Sequence, residues 1–171
     1  MQEIIGQMFG ILAMVFSILT WQMNSHKKMM VMQIICASTF VVHYVLLGAY
    51  TGAVVNGVAV VRNIIFYHRE KKIFSGVGWV ILFAALMAVC GAVSGYREGW
   101  ISLFMIVGMV INTLSLSCTN PQLVRKIILC SSPLMLVYNI LTISIGGIIN
   151  ESLSMCSAVS ALIRTAQTKK E

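Results

Sequence analysis

The sequence predicts an all-α membrane protein: seven transmembrane helices as two parallel three-helix repeats joined by a linker helix (3+1+3). Its N-terminus is placed outside and its C-terminus in the cytoplasm. Three observations carry this. The chain is 58% hydrophobic and 10% charged, with mean hydropathy +0.90, whereas soluble domains carry roughly 25% charged residues. Basic residues fall at alternate ends of its apolar stretches. The chain also repeats itself.

Apolar stretches of roughly 17–25 residues can each cross a bilayer as a helix. Seven can be drawn, over about 4–21, 29–48, 51–67, 76–95, 100–118, 125–142 and 145–163. The first has Glu3, no basic n-region and no small-residue cleavage site after it, so it reads as an uncleaved helix. His26, Lys27 and Lys28 precede the second, which abuts the third across Gly48–Gly52. The third ends in His68, Arg69, Lys71 and Lys72. The fourth, Val77–Gly95, leads into the near-neutral Arg97–Glu98. Arg125 and Lys126 open the sixth, which abuts the seventh at Ser144–Gly147, and Arg164, Lys169 and Lys170 close the chain. By the positive-inside rule, the basic ends are cytoplasmic. Seven spans satisfy the resulting parity; six or eight do not. Trp21, Trp79 and Trp100 stand at span ends as interfacial anchors.

The repeat supplies the internal organisation. A shift of 94 residues pairs Cys36 with Cys130, Ser38 with Ser132, Tyr44 with Tyr138, Leu47 with Leu141, Gly52 with Gly146 and Asn56 with Asn150. Upstream, a shift of 98 pairs Gly10 with Gly108, Ser17 with Ser115 and Lys28 with Lys126. The change of shift is about one helical turn, which leaves faces in register. Residues 1–72 form the first three-helix repeat, 73–98 the linker helix, and 99–171 the second repeat with a short basic cytoplasmic tail. An odd number of spans per repeat would invert the second copy, and the linker helix restores its orientation. Duplicated membrane units with polar residues at matching depths hold solutes between their halves in many carriers.

Several functions are excluded. The net charge of +7 is divided among alternate span ends and forms no single patch, so no nucleic-acid partner is expected. Cys36, Cys90, Cys118, Cys130 and Cys156 show no CxxC spacing and read as buried, inert thiols without metal. No HExxH, GxSxG, Walker loop or paired catalytic carboxylates occur, and the loops leave no room for a catalytic domain. The chain is therefore expected not to be an enzyme and to hold no cofactor. Its partners are the lipid bilayer and a small polar solute, with a homo-oligomer left open.

Asn56 and Asn150 lead the candidate residues. They occupy equivalent positions in spans three and seven, and their carboxamides offer both donors and acceptors to a neutral polar solute. The alternative is interhelical hydrogen bonding, worth about 0.6–2 kcal/mol in membranes. Asn150, Ser154, Ser157, Ala161 and Arg164 form a small, polar stripe on span seven; Gly52, Asn56, Ala59 and Asn63 form another on span three. Span five carries Gly108, Asn112 and Ser115, and span one Gly10, Met14 and Ser17; small residues of this kind also serve close packing. Glu151 is the only carboxylate well inside a predicted span, which makes it a functional-site candidate. It reads as a proton-coupling group, as a structural partner of His43 or Arg62, or as a water-facing residue near the outer face. His43 could share a proton with it or bond a backbone carbonyl. Arg62 either snorkels to the headgroups or serves as a cytoplasmic gate or anion contact. The twelve methionines read as packing.

The 3+1+3 layout resembles the SWEET and PQ-loop transporter superfamily, and Asn120-Pro121-Gln122 echoes its signature. A closer resemblance is to the bacterial inner-membrane YgjV-type family. It rests on His43-Tyr44-Val45-Leu46-Leu47-Gly48, Arg62, Tyr138-Asn139, Ser144-Ile145-Gly146-Gly147, Glu151 and Arg164, and covers nearly the whole chain. The resemblance implies the fold and an inner-membrane location. Through SWEET-like carriers, whose equivalent helices contact sugar with an asparagine pair, it implies transport. Only Pro121 and Pro133 are present, where the superfamily has prolines in both repeats; Met23 and Thr39 stand in the first. That counts against a symmetric, proline-hinged rocking. The expected function is a facilitative or proton-linked transporter, with Asn56 and Asn150 holding the solute and Asn139, His43 and Glu151 nearby. A membrane-embedded ligand-binding or sensing protein without net transport is the alternative.

Overall fold

A bilayer core offers no water to backbone N–H and C=O groups, and a helix pairs them within itself. The chain accordingly folds into seven α-helices: α1 (Gln2–Trp21), α2 (His26–Leu47), α3 (Tyr50–Tyr67), α4 (Val77–Gly95), α5 (Ile101–Ser115), α6 (Pro121–Leu141) and α7 (Ile145–Thr168). The computed structural model describes residues 2–21, 26–68, 76–115 and 121–168. No strand occurs among them. The positions of the Trp21 and Arg164 side chains, and of Cys118 and Asn120, lie outside the described set.

The exterior is apolar and the interior mixes apolar residues such as Phe40, Val55, Met87 and Met105 with polar ones. His43, Thr51, Asn56, Arg62, Asn139 and Glu151 are buried, while Ile81, Val89, Val93, Leu103, Ile140 and Ile163 are exposed. Buried polar groups and a continuous apolar exterior are the informative departures from ordinary surfaces. Gln2–Thr20, Met30–Leu47 and Val77–Gly95 are each long and apolar enough to cross a membrane, and Ile101–Ser115 is apolar but shorter. The helices α3, α6 and α7 are more polar because Asn56, Arg62, Ser131, Ser132, Asn139 and Glu151 turn inward.

Each helix packs on the next in the chain, α7 returns to α1, and α3 also touches α5. The α1–α7 approach is the tightest. A Cβ on Gly146 would collide with the backbone of Gly10, so the two helices meet with no side chain between them. The equivalent glycines differ: the nearest neighbours of Gly52 are the Tyr44 ring atoms, and those of Gly108 are Met135 and the Ser131 carbonyl.

Two expectations are corrected by this packing. Cys130 and Cys156 lie exposed on the bundle exterior rather than buried, because their helices turn serines and Glu151 inward instead. Trp79 is more than an interfacial anchor: it stacks on Phe83 at 6.2 Å, and Phe83 meets Phe66 edge-on at 6.1 Å. These rings and Met30 form a small apolar cluster between α2, α3 and α4.

Candidate functional site

A cavity of about 170 Å³ occupies the middle of the bundle. It runs from Tyr44, Asn139 and Gly147 at one end to Thr20, Arg62, Asn63 and Asn112 at the other. Lining residues come from α1, α2, α3, α5, α6 and α7; α4 contributes none. Its volume is below the roughly 300–1,000 Å³ of pockets for drug-sized molecules.

Helical spacing brings the polar residues to this space. On α3, Gly52, Asn56, Ala59 and Asn63 are all buried, as the stripe predicts. On α7 the stripe is offset by one residue: Glu151 and Ala158 are buried, whereas Ser157 is exposed. The inward face of α7 is therefore centred on Glu151, with Asn150 and Ser154 at its flank, all three lining the cavity. Glu151 and Ala158 keep the same seven-residue step as Asn150 and Ser157, so the buried line is the expected stripe turned by one residue, about 100° around the helix.

Five of the six candidate residues line the one cavity: Asn56, Arg62, Asn139, Asn150 and Glu151. Asn56 donates from Nδ2 to the Gly52 carbonyl at 2.8 Å, inside its own helix. Asn150 donates from Nδ2 to Glu151 Oε1 at 3.2 Å, and the Ser132 hydroxyl also bonds the carboxylate. Arg62 does not extend toward the headgroups. Its Nε donates to Asn63 Oδ1 at 3.1 Å and a terminal nitrogen donates to Thr113 Oγ1 at 2.8 Å. Among the described residues, no ion pair joins Arg62, His43 and Glu151.

His43 stands behind the cavity wall. Its Nδ1 lies 2.7 Å from the Gly6 carbonyl and its Nε2 2.6 Å from Ser144 Oγ. A carbonyl can only accept, so in the neutral ring Nδ1 carries the proton and Ser144 donates to Nε2. Ser144 precedes α7 and its Oγ accepts the Gly147 N–H at 3.2 Å, which is an N-cap. Gly10 leaves room for this imidazole, because a Cβ there would lie 2.7 Å from its Cε1.

The end of the cavity near His43 is closed by bonds between helices. Tyr44 Oη donates to Asn139 Oδ1 at 2.6 Å, and Asn139 Nδ2 donates to the Met135 carbonyl at 2.9 Å. Tyr138 Oη accepts the Gly52 N–H at 2.9 Å and donates to Glu98 Oε2 at 3.0 Å. Glu98 Oε1 accepts the Thr51 N–H at 2.7 Å. Ala49, at the N-cap of α3, makes no side-chain cap. A carboxylate from the α4–α5 turn supplies it instead, matching the positive end of the helix dipole. On the other side Gln7 bridges the Ile143 carbonyl and the Ile145 N–H. Phe40 and Tyr44 stack at 5.8 Å, and Tyr44 meets Tyr138 edge-on at 6.0 Å.

Glu98, Gln7 and Ser144 in these structural roles escape a reading of the sequence alone. The Tyr44/Tyr138 match in the repeat is the signal that pointed to this layer. Gln33 is a further cavity-lining residue not singled out by sequence; its Oε1 is buried without a hydrogen-bond partner.

The family model Imp-YgjV, described as bacterial inner membrane protein, matches residues 4–169. No curated protein and no solved structure matches the chain.

Proposed function

Since the chain belongs to the Imp-YgjV family of bacterial inner membrane proteins, we propose that its cavity is the solute chamber of a facilitative or proton-linked transporter. The observation that carries this reading is a small cavity, lined by five asparagines (Asn56, Asn63, Asn112, Asn139 and Asn150), inside a bundle whose exterior is apolar. Such a chamber at mid-depth is where carriers built from repeats hold their cargo. Asn56, Asn139 and Asn150 hold the solute, with Glu151 and Arg62 completing the lining and His43 fixing the wall behind it.

The packing supports the two-repeat reading. Under the sequence shifts α1 corresponds to α5 and α3 to α7, so the α1–α7 and α3–α5 contacts are equivalents. With the basic ends cytoplasmic, the layer of Tyr44, Tyr138, Asn139 and Glu98 closes the outer end. The cavity then extends toward the cytoplasm, as in an inward-directed or occluded state. The close Gly10–Gly146 contact has no counterpart at Gly52 and Gly108, so the two interfaces would open unequally.

The test is uptake in sealed liposomes of labelled glycerol, glucose, alanine and nicotinamide. At least one should enter, and Asn56→Ala/Asn150→Ala should abolish that entry while the protein retains its elution profile and Tm. Equal uptake by the double variant removes the asparagines from the site. A solute that binds without flux selects the binding or sensing alternative. Glu151→Gln separates the two transport modes: with proton linkage, whatever flux the variant retains becomes independent of an imposed pH gradient.

A further inference from the structure

Arg62 and Glu151 share one cavity, and each is 6% exposed. A buried charge is costly unless paired, and the usual remedy is a direct ion pair. These two do not form one. Arg62 bonds the neutral Asn63 and Thr113, and Glu151 bonds the neutral Asn150 and Ser132. The two charges also stand at different depths. Counted from the starts of α3 and α7, Arg62 lies about six residues, or roughly 9 Å, deeper than Glu151. The wall of the same cavity also carries amides, including the unpartnered Gln33 Oε1.

A neutral polyol entering this space would leave both charges uncompensated. A simple anion would answer only Arg62, and a simple cation only Glu151. A molecule that carries both charges answers both at once and gains affinity from each. We propose that the cavity takes a small zwitterionic amino acid, its carboxylate held by Arg62 and its ammonium by Glu151. The guanidinium fork suits a carboxylate, which it can bind through two parallel N–H···O contacts. The ammonium group has three donors, enough for the carboxylate of Glu151 and a neighbouring amide oxygen. The volume of about 170 Å³ restricts the class to amino acids with a small side chain or none. This assignment rests on the reading of the cavity as a solute chamber, and it does not require net flux.

The experiment is calorimetric binding to the purified full-length protein, with thermal shift alongside. The probes are glycine, alanine, β-alanine and γ-aminobutyrate, against propionate, propylamine and glycerol. At least one amino acid should bind at least about tenfold more tightly than propionate, propylamine and glycerol alike. Glu151→Gln should then bind alanine and propionate equally, Arg62→Gln should bind alanine and propylamine equally, and Glu151→Asp should restore part of the preference. The wild-type panel decides by itself if a variant fails to fold. Binding of glycerol without binding of any amino acid overturns the proposal, as does a panel in which nothing binds. An amino-acid preference unchanged in both variants also overturns it. Liposome flux of the same probes is read separately. Amino-acid binding without flux keeps the substrate class and removes transport, whereas glycerol flux without amino-acid binding does the reverse.

Discussion

Ser144 joins three parts of the molecule with one hydroxyl. It caps α7 through the Gly147 N–H, donates to His43 and so ties α7 to α2, whose imidazole in turn holds the Gly6 carbonyl of α1. Ser144→Ala leaves a ring nitrogen and a backbone N–H unpaired in a site 0% exposed. Hydrogen bonds of this kind in membranes are worth about 0.6–2 kcal/mol, so the variant should melt several degrees lower in detergent. An unchanged Tm would mean that the chain from Gly6 to Gly147 contributes nothing. Tyr138 offers a second test, because its hydroxyl both accepts from Gly52 and donates to Glu98. Tyr138→Phe keeps the ring contact with Tyr44 and should lower Tm comparably, and Glu98→Gln added to it should cost little more. Fully additive losses would show that the two groups act independently. At this scale His43 and Asn139 were legible as candidates. The partners of His43 were not, because Gly6 and Ser144 are distant from it in sequence and of ordinary residue types.

The helices themselves were the most legible level. The drawn stretches and the observed helices coincide closely, and the largest difference at a start is α6, which begins at Pro121 rather than near 125. Proline is favoured at a first helical position, where its missing N–H has no partner to lose. How helices face each other was less accessible. The α7 stripe through Asn150 and Ser157 ran onto the exposed Ser157, and the buried line lies one residue on, through Glu151 and Ala158. The α1–α7 contact makes a prediction at this level. Gly146→Val must push its side chain into the backbone of Gly10, which cannot yield as a flexible side chain would. Overpacking typically costs about 1–3 kcal/mol, and here it also displaces the helix that carries Glu151. Gly57→Val, where nothing lies within 4 Å of the added Cβ, is the matched control and should fold normally. Equal stability of the two variants would show that the α1–α7 approach is looser than described.

For the whole molecule, an apolar exterior surrounds an interior of mixed apolar and polar side chains, and the sequence sorts its basic residues to alternate ends of the spans. The orientation proposed from that sorting has a direct check. In a cysteine-free background, Arg97→Cys should react with a membrane-impermeant maleimide added to spheroplasts, and Lys27→Cys only after permeabilisation. The reverse pattern would invert the molecule and place the layer of Tyr44, Tyr138 and Glu98 at the cytoplasmic end. Composition, the spacing of apolar stretches and the basic residues at their ends determine a helical membrane protein by themselves. Each of these is a local property, read from a stretch no longer than a bilayer is thick. The duplicated positions likewise marked Asn56 and Asn150 without any coordinates. Only the tertiary structure decided that Arg62 turns inward, that His43 serves the wall instead of the cavity, and that Glu98 caps a helix it does not belong to. Those outcomes depend on which helices become neighbours and at what depth their side chains meet. A buried charge or an uncapped helix end takes whatever partner the packing brings within about 3 Å, and sequence distance carries no record of it.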